Sequence, residues 1–278
     1  MNLVEMVEKN SRLYPRKAAF VEIKTLSKER EEIHWEAFHD RTNRLANALL
    51  DRGVTKGDKV FILGKNSINW IEAYFAVLKA GGWVVPLNFR FTNDDIAFCA
   101  GVAEPKAFIL AEEYGDRAQE MRSQLGTVKE YVIIGKKPVE GMDLLDDVIQ
   151  GGATGLPDVS LDYGDDCGLY FTSGTTGKPK PVLLTHLNLL STAIAELTTH
   201  DLKEPDRTPQ FLLQAMSEEQ ISVVFLLVPW ALDLLEALDK DVLKKEDYDL
   251  SHWQLTHMGA QSIPPSIVQR LKEHFPDM

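Results

Sequence analysis

The run Lys59-Val60-Phe61-Ile62-Leu63-Gly64 is apolar, too short for a helix and bounded by turn residues. The pattern recurs at Val84-Val85-Pro86-Leu87, Ala107-Phe108-Ile109-Leu110 and Tyr131-Val132-Ile133-Ile134. Segments with helical spacing lie between these runs. Glu36 to Arg52 puts Phe38, Leu45, Ala46, Leu49 and Leu50 on one stripe, with Gly53 to close it. Ser67 or Asn66 opens a second helix through Trp70, Tyr74, Phe75 and Leu78 to Gly81-Gly82, and Thr92-Asn93-Asp94-Asp95 resembles an acidic capping box for a third. Buried strands alternating with helices of this length predict βαβ crossovers. The expected fold class is therefore α/β, with a mostly parallel sheet covered on both faces.

The stretch Gly135 to Asp166 is rich in Gly, Pro and Asp and is expected to connect two similar layers, residues 1–160 and residues 161–278. The second layer reads as a strand over Gly168 to Phe171, a Gly/Thr loop, and a helix from about His186. A strand over Ser222 to Val228, a helix over Trp230 to Leu238 and a strand over Trp253 to Met258 follow. Pro264 or Pro265 then starts a last helix that reaches His274.

With 278 residues, 44% of them hydrophobic, the chain can bury a sizeable core, and disorder is excluded as a global description. Its formal charge, 30 − 42 = −12, argues against nucleic acid as a partner, because neutralising phosphates needs a basic face. A small phosphate ligand stays open. Two cysteines, Cys99 and Cys167, build no disulfide framework or metal motif and are expected to be reduced, buried thiols. The first residues carry Glu5 where a secretion signal would carry Lys or Arg. The longest apolar stretch, Val223 to Leu232, is broken by Pro229 and stopped by Asp233, short of the ~20 residues a membrane span needs. A soluble, cytoplasmic protein is expected, and nothing in the sequence sets an oligomeric state.

Thr172-Ser173-Gly174-Thr175-Thr176-Gly177-Lys178-Pro179-Lys180 is the segment that carries chemistry. It is expected to follow a strand and precede a helix, where open α/β sheets bind ligands. Glycines let the backbone approach an anion closely and present its N–H groups. Hydroxyls add short donors, and Lys178 and Lys180 bring positive charge to an acidic chain. The set suits a polyphosphate. It is not the P-loop of the NTPases, since two residues rather than four separate Gly174 from Gly177, and Pro179 follows Lys178 where that motif has Ser or Thr.

Phe171 through Lys180 resembles, in register, the phosphate loop of the adenylate-forming (AMP-binding) enzymes, with acyl-CoA synthetases and fatty-acid–CoA ligases nearest. Gly57-Asp58-Lys59-Val60 into Asn66-Ser67, and Ala80-Gly81-Gly82 with Val85-Pro86-Leu87-Asn88, are similar to that family's N-terminal core. Gly259-Ala260-Gln261 before Pro264-Pro265 is similar to its adenine-contacting turn. The resemblance implies two layered, mostly parallel βα subdomains and an acid–thiol ligase. A carboxylate attacks the α-phosphate of Mg-ATP and releases pyrophosphate, and the thiol of coenzyme A then displaces AMP. The implied cofactors are ATP, Mg and coenzyme A, and the implied substrate is a carboxylic acid, a fatty acid foremost. By position, Thr172, Ser173, Gly174, Thr175, Thr176, Gly177 and Lys180 would bind the β- and γ-phosphates. Gly259, Ala260 and Gln261 would bind the adenine, and Val228, Pro229 and Trp230 would border the acyl pocket. The alternative is a non-catalytic nucleotide-binding module that kept the cradle and lost the chemistry.

Three departures from the family pattern stand out. Pro181 replaces the glycine after the loop lysine, which stiffens the loop's end and removes one N–H donor. The interval Thr198 to Gln220 is short, lacks an aromatic-His-x-x-Gly turn and changes character at Thr208, as if a piece were missing. The sequence stops at Met278, before the family's magnesium-binding glutamate, ribose-binding aspartate and C-terminal domain with its catalytic lysine. These 278 residues alone are therefore expected not to complete the reaction. Other polar residues have plain explanations. His186 and Asn188 can cap and pack the next helix as readily as serve the site. His252 and His257, five apart on an expected strand, face opposite sides and make no metal pair. The pairs Asp94-Asp95, Asp146-Asp147 and Asp165-Asp166 suit helix starts and solvated loops. Trp230 and Trp253 either touch an acyl chain or fill space.

Overall fold

The computed structural model describes residues 2–24, 29–172, 178–199, 209–259 and 263–276. In chain order the elements begin with α1 (Leu3–Leu13), β1 (Ala18–Ile23), β2 (Arg30–His34), α2 (Trp35–Asp51), β3 (Lys59–Leu63), α3 (Ile68–Lys79) and β4 (Trp83–Leu87). They continue with α4 (Asn93–Ala103), β5 (Ala107–Ala111), α5 (Gly115–Glu120), β6 (Glu130–Ile134), β7 (Asp143–Leu144) and α6 (Leu145–Gly151). The remainder are β8 (Asp166–Thr172), β9 (Lys180–Thr185), α7 (His186–Thr199), α8 (Pro209–Glu218), β10 (Val223–Leu227), α9 (Val228–Asp239), β11 (Leu255–Gly259) and α10 (Pro265–His274). Contacts divide the chain into one unit of Met1–Glu22 with Glu31–Leu190 and a second of Ile23–Arg30 with Ser191–Met278.

The first unit is built on a seven-stranded sheet of order β7-β6-β5-β3-β4-β8-β9. Every neighbouring pair is parallel except β8–β9. Strand side chains alternate between the faces. Val60, Ile62, Val84, Ala107, Ile109 and Val132 meet α2, α3 and α6 on one face, while Phe61, Leu63, Val85, Phe108 and Leu110 meet α4 and α5 on the other. Val60, Phe61 and Ile62 are fully buried, each contributing roughly 1.5–3 kcal/mol by leaving water. The helix starts follow the sequence. Ser67 accepts from the Trp70 N–H to cap α3, and Thr92 and Asp95 form a reciprocal capping box on α4. Gly53 follows the end of α2 at φ +85°, which a side chain would strain.

Two expectations need correction. The stretch after Gly135 is not a plain connector, because Asp143–Leu144 adds an edge strand and Leu145, Val148 and Ile149 of α6 join the core against α2. The chain beyond α6 is pinned along the same unit. The Asn47 amide donates to the carbonyls of Ala153 and Gly155 (both 2.8 Å), and Lys56 Nζ bonds the Ser160 carbonyl (2.8 Å) and Asp165 (2.6 Å). The division expected after residue 160 consequently falls after Leu190, since β8 and β9 extend the first sheet instead of founding a second.

Lys79, at the end of α3, is buried. Its ammonium donates to Asn43 Oδ1 (2.6 Å), Thr42 Oγ1 (2.7 Å), the His39 carbonyl (3.0 Å) and His39 Nδ1 (3.2 Å), all on α2. Burial pulls its pKa down to about 7 against the weaker opposing pull of Glu8 and Asp40. His39 is brought to about 4 by burial and by Lys79, so its ring is a neutral acceptor. Between about pH 7 and the ordinary value of 10.5, the unfolded chain holds a proton on Lys79 that the folded chain lacks. Stability therefore rises with pH across that window. Lys79→Met is expected to flatten that rise, as read from urea midpoints between about pH 7 and about pH 10. An unchanged slope overturns the expectation.

The second unit gathers α8, α9 and α10 around the parallel pair β10–β11. Leu212, Leu213 and Met216 pack with Val224, Leu226, Leu234, Leu235, Ile267 and Leu271. Only His257 of the two histidines expected on the last strand lies in β11, its ring edge-on to Phe225 with centres 5.5 Å apart, while His252 sits in the preceding turn. No helix among the described residues is long and apolar enough to cross a membrane.

Candidate functional site

The Gly/Thr segment lies in the chain between the two strands of an antiparallel pair. β8 enters it from the sheet and β9 returns antiparallel, with Phe171 paired to Pro181 and Thr172 to Lys180. The helix expected from about His186 begins there as α7, but an unforeseen strand, β9, lies between it and the loop, its Val182-Leu183-Leu184 run paired with β8. Ser173, Gly174, Thr175, Thr176 and Gly177 lie outside the described residues. Of the residues expected to hold phosphates, Thr172 and Lys180 are placed together as the pair at the mouth of the bend. Both are exposed, and the Thr172 hydroxyl donates to the Lys180 carbonyl at 3.4 Å. Pro181 stands at the edge of the sheet, the position in a sheet where proline is tolerated.

The stem of this hairpin has partners on both sheet faces. Tyr170 shares a hydroxyl–hydroxyl hydrogen bond with Tyr74 of α3. Burial pushes both phenols above their ordinary pKa, so both stay protonated at neutral pH. On the other face the Lys178 ammonium sits 5.1 Å from the ring centre of Phe98 on α4. Sequence reasoning does not single out Tyr74 or Phe98 as serving the loop, because each looks like one more apolar position on a helix stripe.

Past β9, Asn188 Oδ1 accepts from the Thr185 N–H and hydroxyl (both 2.9 Å), and Thr185 Oγ1 accepts from the Asn188 N–H (3.2 Å). Asn188 thus takes part in capping α7. His186 is buried, its pKa lowered chiefly by that burial, and its Nδ1 finds no hydrogen-bond partner among the described residues. Cys99 and Cys167 are buried free thiols pushed up to about 12, too high for a nucleophile. An open depression of about 650 Å³, lined by Glu36, His39, Asp40, Asn43, Thr154 and Leu156, includes none of the candidate residues.

In the second unit, Leu227 registers with Gly259. The segment Val228-Pro229-Trp230 and the chain after Gly259 therefore leave the same end of a parallel pair, the carboxyl end at which α/β sheets bind ligands. Ala260 and Gln261 lie outside the described residues. Val228 is taken up by the core at 4% exposure, Pro229 is exposed in the first turn of α9, and Trp230 is half-buried against the core. Among the described residues no group of three or more His, Cys, Asp or Glu stands together to hold a metal ion.

Known proteins share this architecture. An anthranilate CoA ligase, AuaEII, solved with anthranoyl-AMP, superposes with a TM-score of 0.84 at 22% identity, over 99% of this chain and 58% of that one. A long-chain-fatty-acid-CoA ligase of Archaeoglobus fulgidus gives 0.87 at 18% identity, over 100% of this chain and 61% of that one. These two show the fold. In sequence, the Bacillus subtilis protein YdaB is 26% identical over 282 residues, which is 90% of this chain and 55% of YdaB. A long-chain-fatty-acid–CoA ligase of Thermus thermophilus is 30% identical over 198 residues, 70% of this chain and 35% of that protein. FadD13 of Mycobacterium tuberculosis, of the same description, is 27% identical over 223 residues, 78% of this chain and 42% of that protein. The chain thus spans about half or less of the length of these relatives. Residues 7–207 match the family model described as AMP-binding enzyme, most of the chain with the hairpin inside it, and the chain therefore belongs to the AMP-binding enzyme family.

Proposed function

We propose that the protein to which this chain belongs activates a carboxylic acid, a fatty acid foremost, with ATP and transfers the acyl group to coenzyme A. The observation that carries this reading is the β8–β9 bend, where hydroxyls, glycines and two lysines in the family's order stand between Thr172 and Lys180. In the first step a carboxylate oxygen bonds the α-phosphorus, the bond to the β-phosphate oxygen breaks, and pyrophosphate leaves. In the second the thiol sulfur bonds the acyl carbon, AMP leaves with the acyl C–O electron pair, and the thiol proton passes to solvent. Thr172, the five residues after it and Lys180 would hold the β- and γ-phosphates. Donors fixed before the charge moves need no rearrangement during reaction. Gly259, Ala260 and Gln261 would receive the adenine, and Trp230, with its half-buried apolar face, would border the acid. Magnesium would arrive with the nucleotide. The soluble cytoplasm is the setting this chemistry suits.

The test is ATP–pyrophosphate exchange by the intact gene product over a panel of short-, medium- and long-chain acids. Acid-dependent exchange, followed by acyl-CoA formation when coenzyme A is added, is the expected result. Exchange with no acid, alongside retained ATP binding, favours a nucleotide-binding module without the chemistry. Lys180→Ala is expected to weaken ATP binding about 10- to 100-fold, the loss of one charge-assisted hydrogen bond to phosphate. Titration calorimetry reads it, and unchanged affinity removes Lys180 from the phosphate set.

A further inference from the structure

On its inner side the hairpin that bears the bend runs beside β4, with little paired register. Among the described residues β8 registers with β4 at Gly168 alone, opposite Val84, and Leu169 to Thr172 register only with β9. β9 is itself the edge of the sheet, so it transmits no support from further out. Side chains hold it from both faces of the sheet. The Tyr170 ring folds back over Gly168, where an added Cβ would stand 2.6 Å from Tyr170 Cε2, and this places its hydroxyl against Tyr74. Tyr74 packs with Trp70 and Phe75 on the face that carries Val60 and Ile62. Phe98 and Phe171 pack on the opposite face, with Phe61 and Leu63, and Lys178 lies over the Phe98 ring.

We propose that Tyr74 and Phe98 are positioning residues for the nucleotide. They grip the hairpin stem from the two faces of the sheet, Tyr74 through Tyr170 on the incoming strand and Phe98 through Lys178 on the returning arm, and so set where the bend stands. The nucleotide half of this inference rests on the reading of the bend as a phosphate cradle; the grip on the stem does not. A single buried hydroxyl pair and a single cation–π contact are modest in energy, so the effect falls on geometry more than on folding.

The experiment compares the intact protein with its Tyr74→Phe, Tyr170→Phe, Tyr74→Phe/Tyr170→Phe and Phe98→Leu variants. It measures ATP affinity by calorimetry, amide hydrogen exchange without nucleotide, and thermal midpoints. Either tyrosine substitution is expected to weaken ATP about fivefold and to speed exchange at residues 169–172 and 180–183 by a similar factor, with β3 and β5 unchanged. Phe98→Leu is expected to weaken ATP a few-fold. The double tyrosine variant separates positioning from plain stability. With no hydroxyl left unpaired its thermal midpoint recovers, while its ATP affinity stays low. ATP affinity unchanged in the single variants, or rising back with the midpoint in the double, overturns the proposal. If the unsubstituted protein takes no ATP, the cradle reading falls. The grip is then judged on exchange alone, with faster exchange of the stem upholding it and unchanged exchange refuting it.

Discussion

Replacing Arg41 by Met is expected to lower stability by about 3–5 kcal/mol, the cost of stranding a buried charge. Arg41 on α2 donates to both oxygens of Glu72 on α3, at 2.5 and 3.0 Å, and reaches Asp146 on α6 at 2.8 Å. The Glu72 side chain is 1% exposed and the Arg41 side chain 32%. The two ends of the pair are therefore unequal. The arginine can find water once Glu72 is gone, but the carboxylate cannot once Arg41 is gone. Burial pushes the Glu72 carboxyl up, and Arg41 is what pulls it back. Without Arg41 the folded carboxyl binds its proton more tightly than the unfolded one. The deficit should then be small near pH 5 and grow toward neutrality, as the unfolded chain alone gives up the proton. Urea unfolding at about pH 5 and about pH 7.5 measures this. The paired change Arg41→Met with Glu72→Met should restore much of the loss, since no unpaired charge remains. A double variant as unstable as the single one refutes the account.

Gly152→Ala should cost about 3 kcal/mol or more, through a clash that no side-chain rotation can relieve. A Cβ built on Gly152 overlaps the backbone carbonyl of Arg44, in the middle of α2. Backbone on both sides means that the end of α6 has to move away from α2. The amide of Asn47 then loses its bonds to Ala153 and Gly155. Overpacking of roughly 1–3 kcal/mol and two hydrogen bonds at about 1 kcal/mol each make up the figure. Gly155→Ala is the control, because nothing lies within 4 Å of its added carbon. It should shift stability by less than about 0.5 kcal/mol. Thermal unfolding of the pair reads the contrast, and equal midpoints contradict the close approach.

The central sheet was legible because its strands are buried on both faces and so appear as unbroken apolar runs. Lys59–Leu63, Ala107–Ala111 and Glu130–Ile134 stand within a residue of where the runs placed them. Helix starts were legible wherever a capping side chain declares itself, as Ser67 and Thr92 do. The same logic applies to elements that were not foreseen. Asn2 and Glu5 form a capping box ahead of Leu3 and Val7, and Leu145, Val148 and Ile149 show the spacing of a short helix. β9 escaped for a different reason. It begins with Lys180-Pro181, which reads as loop, and only its pairing with β8 turns Val182 to Leu184 into a strand. The loop's composition marked it as the candidate site, but its mounting was not legible there. The contacts of Tyr170 with Tyr74 and of Lys178 with Phe98 join residues far apart in the chain, and no local periodicity records them.

The antiparallel return of β9 changes what can attract an anion. In a strand–loop–helix turn, the positive pole of the helix macrodipole points at the ligand and adds to its attraction. Here six residues of strand, about 20 Å at the usual rise, separate the bend from the first turn of α7. That distance exceeds the Debye length of about 8 Å at physiological ionic strength. On the proposed reading, the charge that attracts an anion to the bend comes from Lys178 and Lys180, both exposed. If the hairpin holds a nucleotide as proposed, its long-range capture of that polyanion is expected to weaken as added salt screens two solvent-facing cations.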